Sequence, residues 1–512
     1  MKLHTLLREA GLAVPLGSGN PDVKGVVCDS RQVRAGQVFV AIRGNREDGR
    51  VYVRDALARG AAAIVVGREG TNGKSSGNGE AAARNGGTDK SVGRREGERI
   101  EVADPRRALA RLAAAFHGHP SRALRVAGVT GTNGKTSVAY LVRDMLRAAG
   151  WNPGMIGTVE YGIGERAIPA SRTTPDASAL NGMLAEMRSV GCRSAVLEVS
   201  SHALAQHRTD GVEFDVAAFT NLTRDHLDFH RDMDGYYKAK SRLFESLGAG
   251  SKQATAVINR DDPWGKRLLD ERPWKAQTIS CGLEAGADVR ASDVRLTLAG
   301  AAFRVESPWG LLEIETPLLG AFNVSNALVA LACGGALGVA PETLADALRR
   351  PTPIPGRMER IALPNGATAF VDYAHTDDAL ECVLRTLRDL TGKRIVAVFG
   401  CGGERDHGKR PAMGRVAGRW ADHTILTSDN PRGEEPLAIL SDIRAGFEPG
   451  ASVETVEDRR EAIERALRMT KAGDTVLVAG KGHETFQQCS NRTVSFDDRQ
   501  VVRKAGDALV HP

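Results

Sequence analysis

The chain has 512 residues, 42% of them hydrophobic and 26% charged, and carries a formal net charge of +6. So small a surplus, without a dense basic tract or aromatic ladder, argues against nucleic acid and for a basic cleft that takes a polyanionic small substrate. No apolar run reaches the roughly 18 residues of a membrane span, the charged N-terminus is not a signal peptide, and seven scattered cysteines without a CxxC pair argue against zinc sites and a disulfide framework. A cytoplasmic monomer with no membrane or nucleic-acid partner is expected.

The length allows about three domains. The first, residues 1–103, reads as a small α/β domain. Val26-Val-Cys-Asp29-Ser30-Arg31 is a strand end running into polar residues, and Gly36–Ile42 is a second strand. Tyr52–Arg59 suits a helix closed by Gly60, followed by the buried strand Ala61–Val66. Residues 67–99 are rich in Gly, Ser, Asn and charge with almost no apolar anchors, the composition of a disordered insertion. That segment contains Gly70-Thr-Asn-Gly-Lys-Ser75, which resembles a phosphate loop but has no strand before it and no amphipathic helix after it.

The second domain, 104–350, begins at Asp104-Pro105 with a helix over Arg106–His117. Its centre is an apolar strand ending at Val129, a Gly-rich turn, and an amphipathic helix to about Leu146. The turn, Gly131-Thr-Asn-Gly134-Lys135-Thr136, is shorter than a Walker A loop, which needs glycine where this chain has Val129. Backbone N–H groups of Gly131, Thr132, Asn133 and Gly134, with a helix N-terminus, make an anion hole. Lys135 can reach the outer phosphates of ATP, and the Thr136 hydroxyl can ligate Mg²⁺. Pro175 is placed to open a helix over about 177–189. Ser194–Ser200 is a strand carrying Glu198 near its end, and Phe214–Phe219 another, followed by Thr220-Asn-Leu-Thr-Arg-Asp225-His226. Strands alternating with helices imply a doubly wound sheet with its site beyond the strand C-termini. Glu198 is a natural Mg²⁺ ligand, and His226 suits a second, softer divalent site. In the helix after His230, Lys238 and Lys240 read as solvated or phosphate-facing; near a magnesium ion a carbamylated lysine would instead be an anionic ligand.

The third domain, 351–512, is a second open α/β unit, with strands at 369–372, 394–399, 421–427 and 474–479. Arg357 at its start can contact phosphate from the opposite side, and Asp372 can hold a ribose or orient a cation. Three polar loops follow three strands: Gly400–Arg410, Asp429-Asn430-Pro431-Arg432, and Gly480-Lys-Gly-His-Glu484. Guanidinium groups at Arg405 and Arg432 with a carboxylate at Glu484 suit a zwitterionic amino acid.

Together these loops resemble the Mur ligases of peptidoglycan synthesis, most of all the members that attach the third amino acid. The likeness rests on Asp29-Ser30-Arg31, Gly131–Thr136, Glu198-Val-Ser-Ser-His202, Asn221–Asp228, Asp372-Tyr-Ala-His375, Asp429–Arg432 and Phe496-Asp-Asp-Arg499. It implies an α/β fold of three domains: a small N-terminal domain, a central P-loop ATPase-like doubly wound sheet, and a C-terminal Rossmann-like domain. By the resemblance, Ser30 contacts the uridine end of a UDP-muramoyl-dipeptide, and Thr173, Thr174, Ser200, Gln206 and Arg208 hold the rest. Asn323, Arg357 and Asp372 join the phosphate loop on ATP. Lys240 matches a carbamylated lysine, giving Thr136, Glu198, His226 and Lys240 as metal ligands and Lys135, Glu198, His226 and Lys240 as the catalytic set. Arg405, Asp429, Asn430, Pro431, Arg432, Gly480 and Glu484 match contacts to meso-diaminopimelate; lysine-adding relatives lack the Arg. The chain departs from the family pattern at Asp377, usually Pro, and at Glu404, usually Asp.

The reaction implied is ATP-driven amide formation through an acyl phosphate. Rival expectations are a lysine-adding ligase of the same family, a folylpolyglutamate synthetase-like ligase, and, in another class, a nucleotide-dependent switch or transport ATPase.

Overall fold

The computed structural model describes residues 1–44, 47–68, 97–490 and 492–509. Most of the expected insertion, including the loop copy at 70–75, lies outside the described residues. Its two ends need correcting. Gly67 closes the strand Ala63–Gly67, and Glu98–Val102 is a further strand paired parallel to it.

The chain forms two compact units. The first comprises Met1–Ala123, Pro175–Ser189 and His202–Val212. Its four-stranded sheet runs in chain order, Gly25–Val27, Gln37–Val40, Ala63–Gly67 and Glu98–Val102, all parallel. Ala63–Val66 is apolar throughout because a central parallel strand is covered on both faces. The helix Pro105–Phe116 packs on this sheet through Leu109, Ala110 and Leu112, so it sits beyond the expected boundary at 103. Asp104 caps its first turn by accepting from the Arg106 amide at 2.9 Å, with Pro105 at the first helical position. The helix Ala177–Ser189 is likewise opened by Asp176, which accepts from Ser178 and Ala179, rather than by Pro175.

The second unit comprises Leu124–Thr174, Val190–Ser201 and Glu213–Pro512, and holds two large sheets. In the 11-stranded sheet, Arg125–Thr130 lies between Ser194–Glu198 on one side and Val216–Phe219 on the other, parallel to both. Register pairs Val129 with Glu198 and Thr130 with Phe219, so the turn after Thr130 emerges beside both neighbouring strand ends. The chain leaves this strand toward one side and later crosses to the other, which makes the crevice where open α/β sheets bind ligands. The helices Lys135–Ala148 and Ala321–Ala336 pack together over the sheet, burying Val138, Leu141, Met145, Leu328 and Leu331.

The six-stranded sheet runs Glu359–Ala362, Thr368–Asp372, Thr475–Ala479, Ile395–Phe399, His423–Leu426, Val453–Thr455. All pairings but the first are parallel, so the loops after Asp372, Phe399, Leu426 and Ala479 emerge along one edge. Behind that edge Arg459, with no exposed surface, forms a two-pronged ion pair with Asp498 of the last helix, both bonds at 2.8 Å. Arg459 Nη2 also donates to the Ala479 carbonyl at 2.9 Å. Removing one member of such a pair leaves a bare buried charge, at a cost of about 3–5 kcal/mol. Among the described residues no helix is long and apolar enough to cross a membrane.

Candidate functional site

The phosphate loop owes its shape to two glycines. Gly131 has φ +153° and Gly134 φ +83°. A Cβ at Gly131 would strike the Thr220 hydroxyl, and one at Gly134 the Asn326 amide oxygen. Gly134 therefore serves both a backbone conformation that L-residues avoid and the close approach of a neighbouring helix. No side chain caps the helix that starts at Lys135, which leaves its first N–H groups available to an anion.

The turn at 220–223 laces this loop in place. Asn221 Oδ1 accepts from the Asn133 amide at 2.9 Å, and the Asn221 carbonyl accepts from the Thr132 amide at 2.9 Å. The Thr223 amide donates to Thr132 Oγ1 at 3.0 Å. Lys135 Nζ folds back onto the loop, donating to the Gly131 and Thr132 carbonyls at 2.9 and 2.8 Å. Burial pulls its pKa below the usual lysine range; the Glu198 carboxylate opposes that shift and the Arg357 charge adds to it.

Glu198 is fully buried among oxygen and nitrogen donors. Its carboxylate accepts from the Thr136 hydroxyl at 2.9 Å, the Thr158 hydroxyl at 2.8 Å and the Thr158 amide at 2.8 Å. Thr158 continues to Thr173, hydroxyl to hydroxyl, at 3.2 Å. Thr174 Oγ1 donates to the Glu198 carbonyl at 2.8 Å and accepts from the Ser200 amide at 3.0 Å. Thr136, Glu198, Thr173, Thr174 and Ser200 are thus one connected set, with Thr158, unmarked by any sequence pattern, as its junction.

Lys240 differs from the sequence expectation. It is not solvated but 1% exposed, because its helix presents Tyr236, Ala239, Lys240 and Leu243 to the interior while Lys238 stays outside. Its Nζ donates to the Gly131 carbonyl at 2.6 Å and lies 4.6 Å from the Tyr236 ring centre. Burial, reinforced by the nearby Lys135 charge, holds its pKa well below the usual lysine range. His226 sits in a left-handed backbone conformation, φ +54°, with its ring 3.4 Å from the Asp225 carboxylate. Among the described residues no three of His, Cys, Asp and Glu gather as a metal cage. The Thr136 hydroxyl beside the Glu198 carboxylate nevertheless forms the sparse oxygen donor set that suits a magnesium ion sharing its shell with phosphate and water.

From the six-stranded region Arg357 reaches the same place, its guanidinium donating to Thr136 Oγ1 at 3.2 Å and lying 4.5 Å from the Tyr373 ring centre. Asp372, buried at its strand end, accepts from the Met358 and Ala374 amides, and burial raises its pKa. Asn323 is buried, donating to the Leu319 carbonyl and accepting from Asn326. Asn133 reaches across to Asp378 at 2.9 Å. The helix carrying Asp378 is capped by Thr376, not by Asp377, so the departure at 377 leaves its entry intact.

The three polar loops meet at the edge of the six-stranded sheet. The Gly403 amide donates to the Asn430 carbonyl at 3.0 Å, and Gly480 has φ +110° against the Asp429 carboxylate. Asn430 Nδ2 donates to Glu484 at 2.8 Å. Arg432, φ +54°, donates to the Gly403 carbonyl at 2.6 Å while its backbone is clipped to Gln488 and Ser490 of the hairpin Phe486–Ser495. Pro431 is buried, Arg405 is exposed, and Glu404 takes φ +54° with its amide on the Glu434 carboxylate. In the first unit, Ser30 begins a short 3-10 turn capped by Asp29, and Arg208 donates to Gln206 at 2.8 Å.

Three family models match the chain: "Mur ligase family, catalytic domain" over residues 22–117, "Mur ligase middle domain" over 129–334, and "Mur ligase, glutamate ligase domain" over 356–482. The chain belongs to the Mur ligase family. As a Mur ligase it is 42% identical to the UDP-N-acetylmuramoyl-L-alanyl-D-glutamate–2,6-diaminopimelate ligase of Geobacter metallireducens, over 99% of this chain and 98% of that protein. A solved structure of a ligase with the same printed name superposes with a TM-score of 0.67 at 34% identity, covering 100% of both chains. The MurF ligase of Thermotoga maritima, solved with ADP, shares the fold alone, with a TM-score of 0.61 at 20% identity over 96% of this chain and 98% of that one. The three-domain α/β architecture expected from sequence is that of the family.

Proposed function

We propose that this Mur ligase attaches meso-2,6-diaminopimelate to the D-glutamyl carboxylate of UDP-N-acetylmuramoyl-L-alanyl-D-glutamate, using ATP, in the cytoplasm and as a monomer. The observation that carries the acceptor is the cluster of Asn430, Arg432 and Glu484 at one sheet edge: one fork for a carboxylate and one carboxylate for an amine. The uridine end of the substrate is assigned to the first unit, its dipeptide end and ATP to the 11-stranded sheet, and the amino acid to the six-stranded sheet.

In the first step a carboxylate oxygen of the dipeptide bonds to the γ-phosphorus and the bond to ADP breaks. Lys135, the helix N–H groups and Arg357 neutralise the charge that spreads over the phosphoryl oxygens. Thr136 and Glu198, with His226 and carbamylated Lys240, would hold Mg²⁺, which when bound screens the phosphate charges. Thr173, Thr174 and Ser200 hold the dipeptide next to Glu198, while Ser30, Gln206 and Arg208 serve its nucleotide end. In the second step the free amine of diaminopimelate attacks the acyl carbon, phosphate leaves, and a proton is lost. No side-chain nucleophile takes part; alignment of the three substrates is the catalytic task.

The direct test is ADP release with UDP-muramoyl-dipeptide and either meso-diaminopimelate or L-lysine. Turnover is expected with the first. ADP release independent of any amino acid would favour a switch ATPase instead, and preference for L-lysine would move the chain to the lysine-adding branch.

Lys240 gives a separate expectation. Its lowered pKa increases the fraction present as free amine, the form that adds to CO₂ to give a carbamate and a proton. With ¹³C-labelled bicarbonate, a carbamate carbon resonance is expected from the wild type and not from Lys240→Ala. An identical spectrum from both proteins would refute carbamylation at this site.

A further inference from the structure

Lys481 has no exposed surface, so it cannot touch a substrate directly. Its Nζ donates to Asn430 Oδ1 at 3.0 Å and to Glu484 Oε2 at 2.9 Å. Asn430 Nδ2 donates to the same Glu484 oxygen at 2.8 Å, closing a triangle of three side chains. Asn430 Oδ1 receives a second donor, the Gln488 amide, at 2.9 Å. An ammonium and a backbone N–H can only donate. Two such donors on one atom of Asn430 leave a single orientation for the amide, with the oxygen inward and the NH₂ toward Glu484.

We infer that Lys481 is a specificity-determining positioning residue for the acceptor amino acid. It locks the Asn430 amide against rotation and fixes the Glu484 carboxylate, so that both meet the distal head of the acceptor in one geometry. The charges agree. Lys481 and Arg432 balance Asp429 and Glu484, and a neutral cluster suits a head carrying both ammonium and carboxylate. A lone ammonium, such as the end of lysine, would leave the Arg432 fork without its anion. This inference rests on the acceptor assignment above.

The test compares Lys481→Met and Lys481→Gln with the wild type in steady-state assays of all three substrates. Lys481→Met strips a donor from the buried Asn430 amide oxygen and from the half-buried Glu484 carboxylate, so KM for meso-diaminopimelate is expected to rise about tenfold or more, the effect of a lost buried hydrogen bond. KM for ATP and for the UDP-dipeptide should stay within about twofold, and preference over L-lysine should fall with the first KM. Lys481→Gln, which keeps a donor without the charge, should recover part of the loss; if the Met variant does not fold, the Gln variant is judged by the same split. In an Asn430→Ala/Glu484→Ala background the Met substitution should add almost nothing, because nothing remains to position. An unchanged KM for diaminopimelate, a parallel rise in all three KM values, or a full further loss in that background would overturn the inference. Failure of the wild type to use diaminopimelate at all would instead overturn the function proposed above.

Discussion

Arg432→Glu is expected to lower the preference for meso-diaminopimelate over L-lysine by about 10⁴, the scale on which a site built to bind a polar group rejects a partner lacking it. Arg432 already sits at φ +54° with its backbone held by Gln488 and Ser490. Glutamate carries the same Cβ, so the backbone strain is unchanged; the substitution reverses the charge and gives up the bond that Arg432 donates to the Gly403 carbonyl. A carboxylate there would face the distal carboxylate of diaminopimelate and repel it, beside a Glu484 of the same sign. The terminal ammonium of lysine meets no such penalty. The measurement is kcat/KM for ADP release with each amino acid. Preference unaltered within about tenfold would mean that the distal carboxylate is read elsewhere.

Lys135→Ala is expected to reduce kcat by about 10³, as removal of a single charge-stabilising donor does in a preorganised site. In the free protein Lys135 spends its donors on the Gly131 and Thr132 carbonyls. Those neutral partners are weaker than phosphate oxygens, so the ammonium can turn to a triphosphate when one enters. Its lowered pKa follows first from burial, and an incoming polyanion shifts it back up toward the charged form. The loop itself should survive, because Asn221, Thr223 and the two positive-φ glycines hold it without the lysine. Single-turnover ADP formation together with a thermal melt would check this. A loss smaller than tenfold with an unchanged melt would place the charge stabilisation on Arg357 or the helix amides instead.

Much of this arrangement was legible in the residues. The phosphate loop announces itself because three signals coincide at one place: an apolar strand, glycines at the turn, and an amphipathic helix. The strand ends carrying Glu198 and Asp372 could be read for a similar reason, since a polar residue after a buried run marks where a parallel strand leaves the core. The residues alone leave Lys240 as solvated or phosphate-facing, because its neighbours alternate lysine with apolar residues and helix phase alone does not say which of two lysines faces inward. Packing decides that: Lys240 shares its face with Tyr236 and Leu243. Thr158 and Lys481 carry no sequence mark because Thr158 meets Glu198, and Lys481 meets Asn430, across a gap of 40 or more residues that only the fold closes. The hairpin that clips Arg432 is half polar, so it gave no apolar alternation to find. The helix Pro105–Phe116 had a clear cap, but a cap says where a helix starts and nothing about the sheet it joins.

The pairing of Arg459 with Asp498 bears on what a shortened form of this enzyme could do. Trimming the polypeptide back beyond Asp498 would strand a guanidinium in a dry interior, directly against the carbonyl that precedes the Gly480–Glu484 loop. The final helix is therefore a cork rather than a tail. Handles for purification or labelling belong past Asp507 or at the opposite terminus, and a clipped preparation would lose its grip on the amino acid before it lost its grip on ATP.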